Sequence, residues 1–450
     1  MRQHIVKIPY RTAPVPSTEI PSGIPFIIGN ELAERFSYYG MRAILVVFMT
    51  QYLMDANDNP APMTASEAKA YFHLFVSITY FTPFLGALLA DGLLGKYRTI
   101  ILLSIVYCLG HFSLALDDTR TGLLVGQALI ALGAGGIKPC VSAHVGDQFG
   151  ASNQYWLGKV FSWFYLAVNF GAFVSMLLIP WLLKTYGAPV AFLVPGVLML
   201  LATGIFWSGR YRFVHIPAAG MNFVREALSG EGLRCLGRLS GIYLFIAMFW
   251  ALFDQNGSSW VLQAQQMDRL VFGIEILPSQ IQAANPLLIV LLTPLFYRLL
   301  YPALARFLHL GYLNKIAIGL FITVSSFVLV AGIQMRIDAG FHPNICWQLP
   351  AYLLLTSAEV MVSITCLEFS YTQAPRTMKS FVMSLYMAAI ALGNLFTSAV
   401  NFFIENPDGS SRLAGAGYFW FFAGLMLVTA LGFVWHSRHY QEKAYLQEEI

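Results

Sequence analysis

Runs of apolar residues long enough to cross a bilayer recur about twelve times along this chain, separated by short polar turns. Six fall in the first half, at 24–54, 69–91, 99–116, 121–145, 156–184 and 189–207. A charged stretch over 210–238 holds Arg210, Arg212, Arg225, Glu226, Glu231, Arg234 and Arg238. Six more runs follow at 239–263, 281–300, 313–335, 346–373, 380–404 and 415–435. The pattern predicts an all-α polytopic membrane protein of about 12 transmembrane helices in two six-helix lobes. The expected divisions are a lead-in over 1–23, lobes over 24–211 and 239–437, a linker over 212–238 and a tail over 438–450.

Composition fits that reading. Of 450 residues 57% are hydrophobic and 11% charged, against about 25% charged in a soluble domain. A net charge of +4 carried by scattered basic residues gives no nucleic-acid footprint. The five cysteines sit in separate apolar segments without metal spacing and read as packing residues. No cofactor, metal site or obligatory protein partner is expected, and the polar, proline-bearing N-terminus lacks the apolar core of a signal peptide. With that terminus placed inside, eighteen lysines and arginines fall on the inner side and six on the outer, so both termini are expected in the cytoplasm.

Ionisable residues within a spanning helix are costly and usually functional. The first helix carries Glu31, Glu34, Arg35 and Arg42 with Tyr38 and Tyr39, and positions 31, 34, 35, 38 and 42 form one stripe. Two carboxylates this close favour sharing a proton. Lys138 in the fourth helix, within Gly135-Gly136-Ile137-Lys138-Pro139, is expected to need an anion, either a carboxylate of another helix or a substrate. Asp254 in the seventh helix and Glu359 in the tenth, the latter followed by Ser363, are acids suited to pair with cations of the first lobe. His73 in the second helix reads either as a proton-titrating group or as a polar anchor at the helix end. Asn169 and Asn285 are polar at depth, and Asn285, just before Pro286, could instead serve carbonyls freed by that proline. Tyr80 and Trp250 read as packing or site aromatics. No HExxH, GxSxG or paired-aspartate pattern marks an enzyme.

The loop Gly86-Ala-Leu-Leu-Ala-Asp91-Gly-Leu-Leu-Gly95-Lys96-Tyr-Arg98 resembles the signature loop of the major facilitator superfamily. Glu31-Leu-Ala-Glu34-Arg35-Phe36-Ser-Tyr38-Tyr39-Gly40 resembles the ExxERFxYYG signature of the proton-dependent oligopeptide transporter family without a departure. Further matches are Gly136–Pro139, Phe164–Gly171, Phe253–Gln255, Asn285-Pro286 and Leu367–Pro375, and His73 stands where animal members carry a second-helix histidine. The linker is too short for the two extra helices of many bacterial members, and no large domain precedes the tenth helix, so a bacterial member with the bare core is expected. The resemblance implies a proton-coupled symporter of di- and tripeptides in the bacterial inner membrane. It further implies that Arg35 and Lys138 hold the peptide carboxylate, while Glu359, Asn169 and Asn285 take the ammonium. Tyr38, Tyr39, Tyr80, Trp250 and Ser363 would line the site. Glu31, Glu34, Arg35, His73, Asp254 and Glu359 would couple protons. A relative carrying another solute, such as nitrate, is the alternative, and Glu359 argues against a purely anionic substrate.

Overall fold

The computed structural model describes residues 10–218, 220, 230–373 and 379–440. Arg2, Lys7, Arg225, Glu226, Ala374, Pro375, Arg376 and Lys443, named above, lie outside them, as do the side chains of Glu231, Cys235 and Lys379.

Ten segments among the described residues are long and apolar enough to cross a membrane. α1, Ile24–Gln51, is not among them, because Glu31, Glu34, Arg35 and Arg42 interrupt its apolar run. One of the ten, Gln154–Tyr211, is two crossings joined at Gly187, whose φ of 81° lets the chain leave one helix and start the next. Twelve crossings result. α2 is Ala65–Phe81, carried on through Pro83–Ala87 and a wide turn at Leu88–Leu94. α3 is Lys96–Leu116 and α4 Arg120–Asp147. α5 and α6 are 157–186 and 188–208, the two halves of Leu157–Ser208.

The second lobe begins with α7, Gly230–Phe253, nine residues before the apolar run predicts. It passes through a tight turn at Asp254–Gly257 into a short helix, Ser259–Gln265. A small hairpin follows, Leu270–Val271 (β1) against Ile274–Glu275 (β2). α8 is Ala284–Leu295 and α9 Tyr312–Asp338. α10, Gln348–Glu359, widens over Val360–Ile364 and runs on through Thr365–Gln373. α11 is Lys379–Ile404 and α12 Ala416–His439.

Local chemistry sets these elements. Thr64 caps α2 by accepting from the Glu67 amide at 3.1 Å, and Thr119 caps α4. α2 and α4 cross where both are glycine: a Cβ on Gly86 would strike the Gly136 carbonyl, and one on Gly135 the Thr82 hydroxyl. Small residues thus bring two backbones into contact in place of side-chain packing.

The two lobes have separate apolar cores. One gathers Tyr38, Phe48, Phe72, Tyr107 and Phe192; the other Phe249, Trp260, Phe327, Tyr352 and Phe422. Tyr80 packs against both. The hydrogen bonds that join the lobes cluster at the end bearing the α1–α2 turn. There α2 and α11 run antiparallel: Thr64 donates to Glu405 at 2.6 Å, Ser398 to the Ala70 carbonyl at 2.8 Å, and Ser77 to the Ala391 carbonyl at 2.8 Å. Across the molecule Gln282 donates to the Ala43 carbonyl at 3.1 Å and Gln280 to the Leu177 carbonyl at 2.8 Å.

The N-terminal segment, over the described residues 10–23, is docked on the first lobe. Its carbonyls at Thr18 and Glu19 accept from Tyr155, Trp156 and Asn153, and the Arg11 carbonyl accepts from the His215 amide at 2.7 Å.

Candidate functional site

The helix spacing of α1 places its charged stripe as expected. Arg35 Nε lies 2.7 Å from Glu31 Oε1, one turn away, and 2.8 Å from Glu34 Oε2. All three side chains are buried, and Glu31 Oε2 and Glu34 Oε1 have no hydrogen-bond donor among the described residues. Two carboxylates and one guanidinium form a buried cluster that carries a net negative charge when all are ionised.

Two turns further along, Arg42 forms a buried ion pair with Asp254 across the lobes. The α7 helix tightens at Asp254, which aims this carboxylate at α1. Its second oxygen accepts from Asn394 Nδ2 at 2.7 Å. Asn394 Oδ1 sits 2.7 Å from His73 Nδ1, and His73 Nε2 sits 2.9 Å from Ser258 Oγ. The roles follow from the acceptors. A carboxylate only accepts, so the amide nitrogen of Asn394 faces Asp254 and its oxygen faces His73. His73 Nδ1 therefore donates, and in the neutral ring Nε2 accepts from Ser258. The ring can take a second proton if Ser258 turns its hydroxyl to accept instead. His73 is fully buried on the lobe seam, which corrects the helix-end anchor reading.

Of the two anions expected for Lys138, a carboxylate of another helix is not within ion-pair distance among the described residues. The Lys138 ammonium lies 3.9 Å from the ring centre of Tyr80 and 4.7 Å from that of Tyr38. Ring faces stand beside it, and Glu31 and Glu34 of the first helix are engaged by Arg35. Glu359 is likewise without a cation: its Oε2 accepts from Asn285 Nδ2 at 2.8 Å, and the same nitrogen lies 3.1 Å from Thr356 Oγ1. Asn285 thus reaches α10 and does not serve the carbonyls near Pro286.

Between the lobes lies a cavity of about 210 Å³. Its wall includes Tyr39, Tyr80, Asn169, Trp250, Asn285 and Glu359 from the predicted binding set, with Arg42 and Asp254 beside them. Arg35, Tyr38, Lys138 and Ser363 do not line it: Tyr38 is fully buried, and Ser363 is 3.1 Å from the Tyr386 hydroxyl. Asn169 donates to the Tyr165 carbonyl at 2.9 Å. Sequence reasoning did not single out Asn394, Ser258, Tyr165 or Gln282. The signal that could have found them was polarity inside apolar spans, as in Ala391-Leu-Gly-Asn394-Leu-Phe396.

Comparison with known proteins agrees with this architecture. A family model described as the POT family matches residues 97–229 and 221–421. The chain is 38% identical over 374 residues to Peptide transporter family 1 of Drosophila melanogaster, covering 73% of this chain and 49% of that protein. It is 37% identical over 379 residues to Solute carrier family 15 member 1 of Homo sapiens, covering 71% and 52%. The chain spans about half the length of the curated relatives it matches. The crystal structure of the POT family transporter PepTSo superposes with a TM-score of 0.87 at 35% identity, over 94% of this chain and 99% of that one. The whole-chain superposition and the match across both lobes lead to one assignment: this multi-pass membrane protein, of the major facilitator superfamily fold, belongs to the POT family.

Proposed function

We propose that the chain is a proton-coupled symporter that imports di- and tripeptides by alternating access. The observation that carries this reading is the buried Glu31–Arg35–Glu34 cluster together with a cavity on the lobe seam. Two carboxylates compete for one guanidinium. A proton on either acid neutralises the buried cluster and releases Arg35 from one of its two ion pairs. Arg35, with Lys138, is then free to take a peptide carboxylate. Glu359, held only by neutral donors, is suited to an ammonium at the other end. Asn169 and Asn285 assist there, while Tyr38, Tyr39, Tyr80, Trp250 and Ser363 shape the space for variable side chains. The relatives named as peptide transporters support the substrate class.

The Arg42–Asp254–Asn394–His73 chain crosses the seam at the end that is closed here. Opening that end must break it. Protonation of Asp254 or His73 from the outer side would weaken the seam and admit peptide. Ligand then shifts the lobes by its differential affinity for the two states. In this reading the closed end faces outward, both termini are cytoplasmic, residues 212–238 link the lobes on the inner side, and the membrane is a bacterial inner membrane. The lysine and arginine asymmetry supports that orientation.

The test is uptake of labelled dialanine into liposomes holding purified protein, at acidic external pH with an inside-negative potential. Accumulation above equilibrium that collapses with the gradient is expected. Equilibration without accumulation would remove proton coupling, and no uptake of any di- or tripeptide by folded protein would remove the peptide substrate.

A further inference from the structure

Lys69 takes no part in the site above, yet it is 8% exposed in α2 at the closed end. Its ammonium lies 3.7 Å from the ring centre of Tyr418 in α12, so it already touches the second lobe. No described residue gives it a hydrogen bond or an ion pair. The carboxylate within electrostatic range, Glu405, is more than an ion-pair distance away and accepts from Thr64 at 2.6 Å. An aromatic face offsets only part of the cost of taking an ammonium out of water. The rest calls for an anion.

Space for one is present. Lys69 lines a second cavity, separate from the central one, of about 240 Å³. Ser66, one turn before Lys69, and Gln266, just past the short helix Ser259–Gln265, offer a hydroxyl and an amide. Gln263 and Gln334 are already engaged with one another, and Gln334 with Asp338. Ser259 and Ser411 also line it, but their hydroxyls are engaged with Tyr418 and the Leu413 carbonyl, and Leu262, Leu413 and Phe419 are the large apolar residues of the remaining wall. One cation with two neutral donors beside an apolar wall suits a carboxylate head on a short apolar body. A bare inorganic ion would leave the apolar wall unused.

We propose that this cavity is a second binding site, for a small organic carboxylate, seated between Lys69 of the first lobe and the α12 side of the second. Because its walls come from both lobes, the ligand favours the arrangement in which they meet and holds this end closed. The inference is independent of which solute the central cavity carries.

The test uses purified full-length protein in detergent with butyrate as the probe, and butyramide and butylammonium as uncharged and cationic controls. Calorimetric titration and melting are read on the wild type, Lys69→Met, which keeps the stem's length, and Lys69→Arg, which keeps the charge. Spin labels at positions 57 and 408, exposed turns of opposite lobes, report the opening. Butyrate is expected to bind, raise the melting temperature and narrow the distance distribution toward its short limit. Lys69→Met is expected to weaken binding at least tenfold, and Lys69→Arg to retain it. Should Lys69→Met not fold, Gln266→Trp, which fills the mouth from an exposed position, is expected to abolish the same response. Dialanine added to Glu359→Gln separates the two sources of a carboxylate: a Lys69-dependent response assigns the seat to peptide termini as well as free acids, and its absence to free acids alone. Equal butyrate affinity in wild type and Lys69→Met, or an equal response to butyramide, overturns the proposal.

Discussion

At the scale of single residues, an unpaired charge is the costliest thing this membrane interior can hold. Removing one member of the buried Arg42–Asp254 pair leaves the other uncompensated, at a cost of about 3–5 kcal/mol. Asp254→Ala is therefore expected to lower the melting temperature sharply, while Arg42→Met with Asp254→Leu recovers most of the loss. An additive loss in the double variant would show that the two residues act separately. Glu34→Gln keeps the shape of the Arg35 cluster but removes one ionisable acid. Accumulation of dialanine against its gradient is expected to disappear in that variant while counterflow exchange persists; retained accumulation would end the coupling role of Glu34. The stripe in α1 was legible from sequence because helical spacing alone fixes it. The tyrosine rings over Lys138 and the amide between Asp254 and His73 were not, since each joins helices far apart in the chain.

At the scale of elements, packing contacts set which substitutions are tolerated. Gly86→Val would drive side-chain atoms into the Gly136 backbone, where nothing flexible can give way. Overpacking of this kind costs about 1–3 kcal/mol or more, and the variant is expected to melt early or run as an aggregate on size exclusion. A second element-level device is the ordered N-terminal segment. Tyr10 stacks on His215 with ring centres 4.2 Å apart, and Tyr97 and Phe213 pack around the same ring. Burial holds His215 below the ordinary histidine value; the Arg210 carbonyl opposes that shift, and Arg98 adds to it. The released ring takes up a proton at a higher pH than the docked ring. Docking is thus complete above the ordinary histidine range and weakens as pH falls through it. Proteolysis near Arg11 is expected to quicken on acidification, and His215→Phe to flatten that dependence. An unchanged pH profile in His215→Phe would place the titrating group elsewhere. Nothing in the sequence marks this docking, because the contacts are backbone carbonyls accepting from Tyr155 and Trp156, just before α5, and carry no pattern along the chain.

At the scale of the whole molecule, two separate cores meet along one seam. The α2–α11 ladder closes one end through side chains that donate to backbone carbonyls, bonds that can break without unfolding either helix. A disulfide from Ala70→Cys to Ser398→Cys is expected to lock that end. Uptake would then fall to background and return on reduction; full uptake in the oxidised protein would mean that the seam need not open.

The order of residues along the chain determined the number of crossings and the charged stripe of α1. Each depends on local apolar length or helical period, which no distant contact changes. Only the tertiary structure decided which charges meet. Asp254 found Arg42 and an amide, Glu359 found Asn285, and Lys138 and Lys69 found aromatic rings. The reason is physical: in a low-dielectric seam a charge's partner is set by the geometry of facing helices over a few ångströms, and sequence spacing carries no record of that distance.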